Sequence, residues 1–186
     1  VCQELDMPKR TASLPKYLEE EECERLLAAC DGKYAYRDYC ILMLFLSCGL
    51  RVSELVSLNV TDIYEDHLRV LGKGNKERMI YLNNACIKAI NEYLAKRPKV
   101  DVKYSSKDAL FLSEQKRRIS NRTVQYIVKE ELKFAGIDSN KYSVHKLRHT
   151  AATLMYQHGN VDVLVLKDIL GHENLGTTEI YTHIID

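Results

Sequence analysis

Between Val144 and Gly159 the chain reads VHKLRHTAATLMYQHG, which sets His145, Lys146, Arg148 and His149 within five positions ahead of an apolar run. On a helix, His145 and His149 fall at i and i+4 and share a face, as two metal ligands would. The zinc-protease pattern, however, needs Glu after the first histidine, where Lys146 stands, and Lys146 and Arg148 would oppose a cation. His145 and Arg148, at i and i+3, also share a face and could present a titratable base beside an anion clamp. A solvated basic helix end is the third reading, and this segment alone leaves all three open.

Other residues of the same chemical character recur along the chain. Arg51 follows Gly49-Leu50, where an apolar run ends; its ordinary structural use would be a salt bridge with Glu54 one turn on. Lys73 sits between glycines in GKGNK, which lacks the spacing of a phosphate-cradling Walker loop and could be a solvated turn. His172 follows Gly171, and Tyr181 stands among polar residues, one of 12 tyrosines. For a single tyrosine, packing or surface placement is the better reading. Together these residues suit phosphoryl transfer. Two guanidiniums hold non-bridging phosphate oxygens bidentately, a lysine protonates a leaving alkoxide, and histidines move protons near neutral pH. A tyrosine supplies an oxygen nucleophile. This constellation needs no metal.

The elements that must position them are mostly helical. YLEEEECERLL predicts an acidic amphipathic helix with Leu18, Cys23, Leu26 and Leu27 inward. YRDYCILMLFLSCGL is apolar nearly all round past Asp38 and predicts a buried helix ending at Gly49. RVSELVSL predicts a short helix stopping near Asn59. HLRVLGKGNKERMIYL alternates on both sides of a Gly-Lys-Gly-Asn turn and predicts a β-hairpin. NNACIKAINEYLAKRP predicts a helix capped by Asn83 or Asn84, and ALFLS a short strand. EQKRRISNR is a basic loop before an amphipathic helix, TVQYIVKEELKFAG. Ser143 can cap the helix that Gly159 ends, and DVLVLKDILGH and TTEIYTHI predict two last helices. The expected fold is mainly α with a small antiparallel β-sheet.

Composition sets the outer bounds. With 186 residues, 46% hydrophobic and 28% charged, the chain is long enough for one domain with a core, or two small ones. No apolar run approaches the roughly 20 residues of a membrane-spanning helix. The start at Val1 suggests a piece of a longer protein. Six cysteines without a C-x-x-C pair suit free thiols in a reducing compartment. A net charge of +1 leaves open a basic face against nucleic acid.

The order of these motifs resembles the catalytic domain of the tyrosine recombinase (phage integrase) family, most closely its bacterial Xer-like members. GLRVSEL around Arg51, GKGNKER around Lys73, HKLRHTAAT with His145 and Arg148, and LGHENLGTTEIYTH with His172 and Tyr181 carry the likeness. The resemblance implies that Arg51 and Arg148 activate the scissile phosphate of double-stranded DNA while Tyr181 attacks it to form a 3′-phosphotyrosine. Lys73 would act as general acid, His145 as proton acceptor and donor, His172 as a phosphate hydrogen-bond donor, and Glu54 as structural support. No cofactor or metal is implied. Residues 1–15 would be the linker from an N-terminal DNA-clamping domain, and 16–186 the catalytic domain with a shortened C-terminal tail. A tetramer at a specific recombination site, a monomer as this fragment, and a cytoplasmic location at the bacterial nucleoid complete the implied picture.

Outside the catalytic set, Lys116, Arg117, Arg118 and Arg122, ahead of a helix N-terminus, are the foremost candidates for phosphate contacts. Lys76, Arg78, Lys141 and Lys146 would extend that surface. Competing functions are supercoil relaxation by a type IB topoisomerase-like enzyme, a catalytically silent DNA-binding module, and a helical interaction domain without DNA.

Overall fold

The computed structural model describes residues 17–101 and 103–157. The expected linker at 1–15, Gly159 as helix end, the two last helices, His172 and Tyr181 lie outside the described residues.

Six α-helices and one two-stranded sheet are described: α1 (Glu20–Ala28), α2 (Ala35–Cys48), α3 (Val52–Ser57), β1 (His67–Leu71), β2 (Glu77–Tyr81), α4 (Asn84–Lys96), α5 (Asn121–Phe134) and α6 (Val144–Gln157). The centre is α2. From Cys40 to Phe45 every side chain is buried, so this helix must be surrounded, and α4 and α6 pack against it. It ends at Gly49, whose φ of 63° lies in the left-handed region that favours glycine. That turn sends the chain straight into Arg51 and α3.

Local chemistry sets the other boundaries. In α1 the Glu19 N–H donates to Glu22 Oε1 at 3.0 Å, and glutamates crowd the positive end of the helix. Asn83 Oδ1 accepts the Cys86 N–H at 2.8 Å to start α4. Ser120 Oγ accepts the Thr123 N–H at 3.1 Å, so α5 begins two residues ahead of the expected Thr123. The expected hairpin forms, with His67 opposite Tyr81 and Leu71 opposite Glu77 and with Leu68 and Val70 inward. Its loop needs left-handed backbone at Gly74 (φ 72°) and Asn75 (φ 59°), residue types that adopt it readily.

The ALFLS segment is not the strand expected. It makes isolated bridges only, Asn59 with Ala109 and Leu112 with Arg118. Side chains take much of the backbone pairing that a ladder would have used. Tyr93 Oη donates to Leu110 O at 2.8 Å, Arg37 Nη1 to Leu112 O at 3.1 Å, and Arg97 Nε to Ala109 O at 3.0 Å.

Cys23, Cys40, Cys48 and Cys86 are buried free thiols and Cys30 a half-buried one, as expected; Cys2 lies outside the described residues. Among the described residues no helix is long and apolar enough to cross a membrane.

Candidate functional site

At the junction of α3, α5 and α6 lies a cleft of about 530 Å³, lined among others by Arg51, Gln125, Lys129, Tyr142, His145 and Arg148. Arg51, His145 and Arg148, chosen from three separate positions in the sequence, thus share one concave surface.

Each is placed by a different local feature. Arg148 is only 4% exposed, and its Nε donates to the Gly49 carbonyl at 2.9 Å. The glycine turn that ends α2 therefore also orients a guanidinium 99 residues further along the chain. Arg51 stands at the N-cap of α3, where its N–H donates to Glu54 Oε1 at 2.9 Å. His145 is exposed on the first turn of α6, one helical turn before Arg148.

Glu54 does more than cap. Its Oε1 also accepts Arg78 Nη2 at 3.2 Å, and this carboxylate is 3% exposed against 25% for the arginine. A Cβ built on Gly72 would lie 3.4 Å from Glu54 Oε2, so the base of the hairpin loop rests against the same carboxylate. The expected supporting role of Glu54 thus has a geometric form, reaching both the Arg51 backbone and the hairpin. Lys73 itself is exposed at the loop tip and does not line the cleft.

Two expected phosphate contacts are committed elsewhere. Arg118 is turned inward: Nη1 donates to Val56 O at 2.9 Å and to Leu58 O at 3.0 Å, and Nη2 to Asn59 Oδ1. Its guanidinium clamps the chain after α3 instead of facing a phosphate. Arg78 is half-buried on Glu54. Lys76, Lys116, Arg117, Arg122 and Lys141 are exposed, and Lys146 is half-buried.

Two features escaped the sequence reading. Lys129 and Gln125, four apart on α5, line the cleft, and the buried set Val124, Val128 and Leu132 marks the adjoining stripe from which they could have been placed. His149 lies behind His145 with ring centroids 4.5 Å apart. Burial first, then the neighbouring His145, Lys146 and Arg148, pushes its pKa down to about 4.

The phage integrase family profile matches residues 16–186, and the chain belongs to that family, whose members are the tyrosine recombinases. It is 59% identical over 184 residues to the tyrosine recombinase XerC of Caldanaerobacter subterraneus subsp. tengcongensis, covering 99% of this chain and 52% of that one. It is 40% identical to the tyrosine recombinase XerD of Proteus mirabilis, covering 97% of this chain and 58% of the relative. The chain thus spans little more than half the length of these curated relatives. In fold it matches the crystal structure of XerA recombinase with a TM-score of 0.77 at 34% identity, over 92% of this chain and 60% of that one. It also matches XerH site-specific recombinase bound to a palindromic difH substrate in a post-cleavage complex, with a TM-score of 0.76 at 28% identity, over 96% and 52%. The mainly helical catalytic-domain fold with a small antiparallel sheet is therefore established.

Proposed function

We propose that the protein containing this chain is a tyrosine-type site-specific DNA recombinase that cuts and rejoins strands through a 3′-phosphotyrosine. The observation that carries this reading is the convergence of Arg51, His145 and Arg148 on one cleft, with both arginines fixed around the Gly49 turn.

The chemistry follows from that placement. A phosphodiester in the cleft gains negative charge on its non-bridging oxygens as a fifth oxygen approaches phosphorus, and two guanidiniums stabilise that charge more than the ground state. Tyr181 Oη attacks phosphorus and loses its proton to His145. The P–O5′ bond breaks, and Lys73 protonates the departing 5′ oxygen. His172 donates a hydrogen bond to the phosphate. Because the phosphotyrosyl linkage keeps the ester bond energy, a 5′-hydroxyl of a partner strand can reverse the step without metal or ATP. Lys73 must reach the DNA from the hairpin tip, which its exposure there permits.

Lys116, Arg117 and Arg122, with Lys76, Lys141 and Lys146, are the proposed backbone contacts to double-stranded DNA. Assembly as a homo- or hetero-tetramer at the synapsed sites, in the cytoplasm at the nucleoid, belongs to the same proposal. A structure of lambda integrase as a tetramer on a Holliday junction shares the fold at 17% identity. The test is incubation of the full-length protein with nicked duplexes that release, on cleavage, the short fragment bearing the new 5′-hydroxyl. A covalent adduct at Tyr181 is expected, and its absence under Tyr181→Phe. An adduct that persists in that variant overturns the assignment. A protein that relaxes supercoiled DNA alone, without synapsis of specific sites, would instead fit the topoisomerase reading.

A further inference from the structure

The two histidines of α6 meet on successive turns, their ring centroids 4.5 Å apart and their planes inclined at 54°. At this separation and tilt the two rings lie in direct contact, within the range of interacting aromatic pairs. Their surroundings differ: His145 is exposed at the cleft, while His149 is half-buried and its backbone carbonyl accepts the Thr153 hydroxyl at 2.9 Å. An exposed imidazole would otherwise spread over several rotamers, and proton transfer needs one.

We propose that His149 is a positioning residue for His145, its ring holding the His145 imidazole at the cleft beside Arg148. This rests on the reading of His145 as the group that exchanges a proton with the tyrosine. Among the described residues, the charged and titratable groups facing His149 are His145, Lys146 and Arg148, and with burial they favour its neutral form. His149 thus stays uncharged while its neighbour takes up a proton. A neutral aromatic ring beside a ring that becomes cationic attracts it, whereas a second cation would repel it. The i, i+4 histidines, which suggested metal ligands by spacing, serve here as one working ring and one supporting ring.

The test compares wild type, His149→Ala, His149→Phe and His145→Ala in the full-length protein with ¹³Cε1-labelled histidine. The DNA probe is a nicked duplex selected by the wild-type protein from a randomised pool. His149→Ala should shift the His145 titration midpoint and slow adduct formation about tenfold or more, part of the 10²–10⁴ that proton transfer contributes. Duplex affinity should not change, which also shows that the variant folds. His149→Phe, which keeps a neutral ring, should restore both readings. The proposal is overturned if His149→Ala leaves the His145 titration unmoved, or if the phenylalanine variant is as impaired as the alanine one. A wild-type rate in His145→Ala would refute the reading of His145 as proton carrier, while the His145 titration would still decide the positioning claim.

Discussion

Arg148 Nε donates to the carbonyl oxygen of Gly49 at 2.9 Å, joining the start of α6 to the turn that releases Arg51 into α3. One left-handed residue therefore orients the Arg148 guanidinium and places the Arg51 backbone. Behind that turn lies α2, the most enclosed of the described helices.

Gly49→Ala should both destabilise the protein and slow it. A side chain at φ 63° costs about 1–2 kcal/mol, read as a lower urea midpoint with unchanged slope. Because relieving that strain shifts the Gly49 carbonyl, adduct formation should fall while DNA affinity holds. An unchanged rate would mean that Arg148 is oriented by other contacts.

Glu54→Ala should cost about 3 kcal/mol, the lower end for breaking a buried ion pair, because it strips the α3 cap and the partner of Arg78 together. Glu54→Gln keeps an acceptor for the Arg51 N–H and should lose clearly less. Equal losses, by chemical denaturation, would show that the charge and not the cap matters.

Removing the charges of Lys116 and Arg117 together should weaken binding to every DNA sequence and reduce the salt slope of log K by about 1.8. Arg118→Ala should behave differently. Its guanidinium serves Val56, Leu58 and Asn59, so melting temperature should fall while the salt slope stays. Swapped phenotypes would reverse both assignments.

The half-buried imidazole of His149 gives stability a pH dependence of known sign. Its folded pKa of about 4 lies below the 6.5 of the free side chain, so between these values the unfolded chain binds more protons. Its contribution should therefore weaken as pH falls from 6.5 towards 4. Asp38 and Glu131, whose carboxyls burial pushes up, act in the opposite direction. The difference between wild type and His149→Phe isolates the histidine: the variant should lose less stability between pH 7 and pH 5. Parallel losses would place His149 in solvent.

What could be read from the sequence was what short-range periodicity encodes. An apolar run closing on Gly49 announced both the buried helix and the arginine after it. Alternation around GKGN gave the hairpin, and i, i+3 spacing put His145 and Arg148 on one face. The misreadings share a different cause. Arg118 looked like a surface cation within a basic loop, yet its acceptors lie about sixty residues upstream, beyond any local pattern. ALFLS has strand composition, but Tyr93, Arg37 and Arg97 satisfy much of its backbone from distant helices. Lys129 reached the cleft only through the packing of α5, which its own neighbours fix in register but not in partner.

The central claim is that Arg51 and Arg148 neutralise charge on a single scissile phosphate. It is tested most directly by cleavage of a duplex whose scissile phosphate is replaced by an uncharged methylphosphonate. On ordinary DNA, Arg148→Ala should lose about 10²–10³ in rate, as when one preorganised donor to a developing oxyanion is removed. On the neutral linkage that deficit should largely vanish. An equal deficit on both substrates would contradict the account.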